Sequence, residues 1–389
     1  MAAIRWVDTI AGMADHVVIV GGGVGALEGL LALQSLGGDR TRISVLTASR
    51  YLTYRALAVA EPFGADPVQR YEWEAIAHDR GVRWIPDVLV GVRPGERELD
   101  TRDGPPVPYD SLLLALGATP EPVLRGAISF GGARDVFAVM EAIEGLAPGR
   151  RHAAAFVAPA GVAWTLPLYE LALLTAERAR ARGLELTIEL VTPEDEPLGI
   201  FGAQASTEVR RRLAGAGIRL RSGTIAEEVA EGKLRLEPEG AIDADLVVAL
   251  PRLRGPALRG LPHDEAGFVP VDPYCRVRGA DRVWAVGDMT ARPLKQGGLA
   301  AQQADVAAAD IAARAGVAVD VRPYRPSLRG VLLTGADPVY LERRPDAPAA
   351  SRAASAFLWW PAHKVVGRHL GPYLESLGAL ELPGGRGRV

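Results

Sequence analysis

The chain has 389 residues, of which 48% are hydrophobic, and a formal net charge of −3. That length allows two or three domains with sizeable cores, and the near-neutral charge gives no reason to expect nucleic acid as a partner. The lone cysteine, Cys275, excludes an internal disulphide, a redox CxxC pair and a cysteine zinc cage, and the six histidines show no metal-binding spacing, so no metal is expected.

Met1 to Asp15 lack the continuous apolar core of a signal peptide, and Met13 offers an alternative start. No apolar run approaches the length of a membrane span, so a cytoplasmic protein is the expectation. The segment HVVIVGGGVGALEGLLAL then reads as a strand, His16–Val20, a glycine turn and a helix. Gly21, Gly23 and Ala26 fill the G-x-G-x-x-G/A positions. Gly21 permits the tight turn, Gly23 lets the backbone approach a pyrophosphate, and Ala26 lets the helix pack on the strand. The helix start at Val24 and Gly25 offers N–H groups and a partial positive charge to phosphates. A turn without a ligand is the plainer alternative. Because the pattern follows the first strand and opens a helix, dinucleotide binding is predicted.

The second strand, Ile43–Leu46, ends at Thr47 and Ala48, where an acidic residue usually holds the ribose. A hydroxyl, backbone groups or water must serve there instead. Arg55 is a candidate for the phosphates or ribose, with a surface ion pair as the alternative. YDSLLLALGATP carries a strand over Leu112–Leu116 that ends at Gly117.

Farther on come a strand at Ala153–Val157, a turn over Ala158–Gly161, and a helix from Pro167 that stops at Gly183. The stretch from Leu186 to Leu220 repeats strand–helix–strand, with its helix from about Ser206 to Gly217. Strands follow at Leu246–Leu250 and Val283–Val286, then a helix after Gly298. Proline and arginine clusters at Arg322–Pro326 and Arg343–Pro348 mark a change of character. The final ELPGGRGRV is expected to be disordered. The predicted fold is α/β, with two Rossmann-like units and a small C-terminal unit.

YDSLLLALGATP resembles the "YDxLxxAxGA" segment of flavoproteins with two dinucleotide-binding domains, and DRVWAVGDMT resembles their late "VxAxGD" segment. The whole chain is similar to the branch that holds sulfide:quinone oxidoreductases, flavocytochrome c sulfide dehydrogenases and type II NADH dehydrogenases. YRALAVAEPFG, LPLYELALLTA and PLKQGGLAAQQAD carry the closer likeness, as does LWWPAHKVVGRHLGPYL. The resemblance implies a discontinuous FAD domain of residues 15–120 and 272–321. A second Rossmann-like unit of residues 121–271 and a C-terminal unit of residues 322–389 complete the implied division. It also implies that Val88, Ala115, Gly117 and Gly287 approach FAD and that Asp288 bonds its ribityl chain. The helix opening at Lys295, Gln296, Gly297 and Leu299 would point at the pyrimidine end of the flavin, where its N-terminus favours the charge of the reduced ring.

Two departures narrow the function. The sulfide oxidisers carry a cysteine before their PxYE segment, whereas Gly161, Ala163 and Trp164 precede Pro167–Glu170 here; Cys275 lies where no family cysteine works. The glycine fingerprint of the NADH users is reduced to Gly161, so NAD(P)H is disfavoured as a cofactor. Glu194 and Asp195 stand where a ribose could be met, but VTPEDEP reads equally well as a surface turn. Lys295 is a candidate to stabilise anionic reduced flavin, against the alternative of a solvated lysine. Trp164 either covers the flavin or packs under its loop, and packing is preferred. Apolar residues at Val365, Val366, Leu370, Tyr373, Leu374 and Leu377 have helical spacing. They read as docking on the FAD domain or as a homodimer interface, before a quinone pocket or a peripheral membrane foot.

The reading is an FAD-dependent oxidoreductase that passes electrons from a small-molecule donor to a quinone or similar acceptor, without a redox-active disulphide. The alternatives are an NAD(P)H-dependent reductase and a flavin-bearing carrier or binding protein with no turnover of its own.

Overall fold

Short apolar runs form interior strands because both faces of a parallel sheet are covered by helices. Residues 14–238, 240–344 and 347–378 are described in this computed structural model. The strands used below are β1 (Asp15–Val20), β2 (Thr41–Leu46), β3 (Arg83–Ile85), β4 (Ser111–Leu114), β5 (Ile128–Ser129), β6 (Arg151–Val157), β7 (Glu185–Val191), β8 (Ile218–Arg221), β9 (Leu246–Ala249), β10 (Val283–Ala285), β11 (Leu328–Leu332), β12 (Val339–Arg344) and β13 (Ala347–Ala354). The helices are α1 (Val24–Gly37), α2 (Leu166–Ala181), α3 (Ala203–Gly215), α4 (Gly297–Arg314) and α5 (Leu370–Ser376).

A first parallel sheet has the order β10-β4-β1-β2-β3, so the chain returns to it with β10 after building the second. Ile19 at its centre stands opposite Val45 on one side and Leu113 on the other. The second sheet, β5-β9-β6-β7-β8, is also parallel throughout. Strands β11, β12 and β13 form an antiparallel sheet.

Residues after 322 pack into the cores of both halves. Val331 and Leu341 share a hydrophobic cluster with Leu171, Phe201 and Val248. Leu370 and Leu374 share another with Leu27, Leu30 and Ile311. Helices α1 and α4 pack against one another and share a hydrophobic cluster with Val17, Ile19 and Leu113 of the first sheet.

Most strands and helices differ by a residue or two at their ends from the sequence reading, and three of the differences have a visible local cause. Strand β4 stops at Leu114 rather than Leu116, since the chain bends away into Gly117 at φ +70°. Helix α3 opens at Ala203 rather than Ser206, after Gly202 turns the chain at φ +93°. The helical spacing of 365–377 yields a helix only at Leu370–Ser376. Before it, backbone donors are used sideways: Val365 N bonds to Tyr54 Oη at 2.8 Å, and His369 N to Glu28 Oε1 at 2.9 Å. The ELPGGRGRV tail and the N-terminal residues through Met13 lie outside the described residues.

Candidate functional site

Parallel strands present their carboxyl ends to one side, and a crevice opens where neighbouring connections leave in opposite directions. That point lies between β1 and β4. A cleft of about 840 Å³ opens there and runs to the wall of the second unit. Gly21, Gly23, Val24, Gly25, Thr47, Ala48, Arg55, Val88, Ala115 and Gly117 line it, and so do Gly287, Asp288, Lys295, Gln296, Gly297 and Trp164.

The glycines of the first turn differ in what they permit. Gly21 has φ +140°, and a Cβ there would lie 2.2 Å from Ala115 O, so β1 and β4 can leave the sheet together only with glycine. A Cβ on Gly23 would meet nothing within 4 Å and would enter the cleft. No side chain caps α1. The N–H groups of Val24 and Gly25 have no acceptor in their own helix and face the crevice.

Two residues of these motifs lie outside the cleft wall. Ala26 is fully buried, as its packing place in the glycine pattern requires, and its N–H is bound to Gly23 O at 3.1 Å. Leu299 is likewise buried, and its N–H is bound to Gln296 Oε1 at 2.9 Å. The Gln296 side chain is therefore occupied as a cap, and its Nε2 donates to Arg329 O at 3.0 Å. Thr47 stands where an acid is usual, and its Oγ1 accepts from Ser49 N at 3.2 Å. The Val88 N–H is taken by Asp87 Oδ1 at 2.7 Å.

Lys295 is half-buried, donates to Thr290 O, and places its Nζ 3.8 Å from the centre of the Phe268 ring. Burial lowers its pKa to about 8, against the opposing pull of Asp288 and Asp264. Burial pushes the Asp288 carboxyl up, while Lys295 and Arg55 hold it down.

On the opposite wall, Trp164 both lines the cleft and packs on Phe201, with ring centres 5.9 Å apart. Gly161 turns the chain at φ +85°, and Arg252 Nε holds Ala160 O at 2.9 Å. Glu194 faces inward rather than into solvent: its carboxylate accepts from Thr165 Oγ1 at 3.0 Å, Tyr169 Oη at 2.7 Å and Thr192 Oγ1 at 3.0 Å. Asp195 is exposed.

Sequence reasoning missed one pair. Glu170 on α2 is fully buried and meets Lys364 Nζ at 2.7 Å, and both residues line the cleft. Glu170 Oε1 also accepts from Leu333 N at 3.0 Å. Burial pushes the Glu170 carboxyl up and the Lys364 ammonium down, each opposed by its partner. The available signal was an acid inside the apolar run LPLYELALL.

Cys275 is fully buried and lies outside the cleft wall, and burial pushes its thiol up to about 12. Away from the cleft, Glu28, Asp305 and His369 bring their side-chain ligand atoms within 4.8 Å of one another.

A family model described as "Pyridine nucleotide-disulphide oxidoreductase" matches residues 15–311. Two NADH dehydrogenase-like proteins from strains of Mycobacterium tuberculosis are each 26% identical, over 71% of this chain and 73% of their own length. The sulfide:quinone oxidoreductase of Aquifex aeolicus superposes with a TM-score of 0.80 at 19% identity, covering 88% of this chain and 87% of that one. A ferredoxin reductase from Rhodopseudomonas palustris gives 0.64 at 21% identity, covering 85% and 82%. These two structures share the fold.

Proposed function

We propose, for a chain that belongs to the pyridine nucleotide-disulphide oxidoreductase family and is an FAD-dependent oxidoreductase, that it passes electrons between a small-molecule donor and a quinone or similar acceptor with no thiol relay. One observation carries the reading. The only cysteine is buried outside the cleft, while the wall facing the crevice combines apolar side chains with the buried Glu170–Lys364 pair.

The residues fit the cofactor. Gly21, Gly23, Val24 and Gly25 leave the backbone bare for a pyrophosphate, and the N-termini of α1 and α4 both face the crevice. Thr47, Ala48, Arg55 and Val88 would border the adenosine end, Ala115, Gly117, Gly287 and Asp288 the middle, and Lys295, Gln296 and Gly297 the ring. In this reading FAD occupies residues 15–120 and 272–321, residues 121–271 form the opposite wall, and residues 322–389 close the cleft. FAD supplies the capacity to take up two electrons and release them singly or as a pair. Lys295 Nζ would offer a positive charge to the ring, which gains negative charge on reduction. Glu170 and Lys364 hold a proton between Oε1 and Nζ and can pass it to an acceptor oxygen.

The names of the mycobacterial relatives favour a second reading, with NADH as donor. Against it, Ala158 and Ala160 add Cβ atoms at the turn, Pro159 removes a donor, and Glu194 is engaged by its own unit. Among the described residues no helix is long and apolar enough to cross a membrane. A cytoplasmic location, with at most peripheral membrane contact, accords with the proposal.

The test is anaerobic reoxidation of photoreduced protein by a short-chain quinone. Saturable reoxidation is expected, slowed at least about tenfold by Glu170→Gln with flavin content unchanged. Absence of saturation with any quinone overturns the acceptor class.

A further inference from the structure

Leu253 and Pro120 stand opposite one another in a short antiparallel pair formed by Thr119–Glu121 and Arg252–Arg254, and both line the cleft. Cross-strand partners share a face, and neighbours along a strand alternate. The other two pairs, Thr119 with Arg254 and Glu121 with Arg252, therefore face away, and none of the four lines the cleft. Arg252 Nε holds Ala160 O at 2.9 Å, and Arg254 Nε holds Glu121 at 3.3 Å. A slip of one residue would turn two arginines into the cleft, whereas the register found turns in a leucine.

The rest of this wall has the same character. From residues 121–271 the cleft takes glycines and apolar side chains, among them Phe130, Val162, Trp164, Pro251 and Phe268. Glu170 is the one ionisable side chain that the described residues of this stretch contribute, and Lys364 engages both its oxygens, at 2.7 and 2.8 Å. Backbone N–H groups around the turn are spent as well. Ala158 N bonds to Val191 O at 2.9 Å, Val162 N to Pro159 O at 3.3 Å and Leu168 N to Thr165 O at 2.9 Å. Pro159 and Pro167 carry no N–H. A phosphate seated against this wall would leave water and meet no cation.

We propose that this wall is the electron-donor side of the site and takes an uncharged, apolar hydride donor. The proposal rests on the reading that FAD fills the other side of the cleft. Glu170, held by Lys364, is not free to take a proton from the donor, so the hydrogen leaves with its electron pair. The donor's C–H bond breaks, both electrons pass with the hydrogen to FAD, and the donor departs as a cation into water. The apolar wall favours this release, because it accepts the neutral reactant better than the charged product.

Two small hydride donors with the same reacting ring test this on the flavin-loaded protein. N-benzyl-dihydronicotinamide is uncharged, and reduced nicotinamide mononucleotide carries a phosphate. Flavin reduction is followed by anaerobic stopped flow, and each rate is divided by that with free FAD. The benzyl compound is expected to saturate. The mononucleotide is expected to rise without saturation and to be at least about tenfold slower at equal concentration, the cost of bringing its phosphate to a wall without a cation. Leu253→Arg puts a cation on the cleft face of the strand and should narrow that gap by speeding the mononucleotide. If this variant does not hold flavin, the wild-type comparison alone decides. Saturation by the mononucleotide, lack of saturation by the benzyl compound, or an unchanged gap in flavin-loaded Leu253→Arg overturns the proposal. These mixtures contain no acceptor, so the outcome is separate from that of the quinone reoxidation.

Discussion

Glu170 and Lys364 stand 194 positions apart and meet at 2.8 Å between Oε2 and Nζ, in a place where both side chains are buried. The contact joins helix α2, which packs on β6 and β7, to the chain just before α5 and puts the two charges in the wall of the cleft.

Breaking such a pair from one side leaves a charge with neither water nor partner. Lys364→Met or Glu170→Leu alone should cost about 3–5 kcal/mol, while the double replacement should recover most of that loss. Unfolding midpoints of the four proteins check this. A double variant as unstable as the sum of the singles would show that the two groups are not coupled.

The first glycine turn predicts two different failures. Gly21→Ala forces a Cβ against Ala115 O and should damage the fold of the first sheet itself. Gly23→Val meets open cleft, so the protein should fold normally and lose its flavin. Circular dichroism and flavin content of the purified variants separate the two. Full flavin content in Gly23→Val would refute the assignment of the phosphate site.

How far the sequence was legible follows from the range of each interaction. The glycine turn after β1, the strand ending near Gly117 and the Gly287–Asp288 turn are local patterns, and they converge on one cleft. Ala26 and Leu299 belong to the same motifs and face inward, Ala26 in the packing place that the glycine pattern gives it and Leu299 against its own cap. Glu170–Lys364 and Glu28–His369 are contacts between segments far apart in the chain, and no spacing announces them. The only trace was the presence of Glu28 and Glu170 inside apolar helices. Residues 365–369 have helical spacing without being helical, because Tyr54 and Glu28 accept the N–H groups a helix would use.

A thiol held at about 12 by burial is not a thiolate at working pH. Iodoacetamide should leave Cys275 unlabelled in the native protein at neutral pH. Cys275→Ser should retain whatever flavin reduction the wild type shows. Large loss of reduction with flavin still bound would put Cys275 at the site.

Lys295 carries a pH dependence of known sign. It is cationic below about 8 and neutral above. The cation favours reduced flavin, so reduction should become harder as pH rises through that value. Lys295→Met should lower the flavin potential below pH 8 and erase this extra dependence. Potentiometric titration of both proteins across the range checks it, and identical curves would show that Lys295 does not act on the flavin.

The central claim is that electrons reach the flavin through a wall which no longer seats a pyridine dinucleotide, and anaerobic stopped-flow mixing with NADH tests it most directly. Glu194 is engaged by Thr165, Tyr169 and Thr192, and Trp164 is packed on Phe201. The account predicts slow flavin reduction that does not saturate, even at about millimolar NADH, the upper end of ordinary enzyme–substrate affinities. Fast, saturable reduction at micromolar NADH would contradict it and make the chain a nicotinamide-dependent reductase.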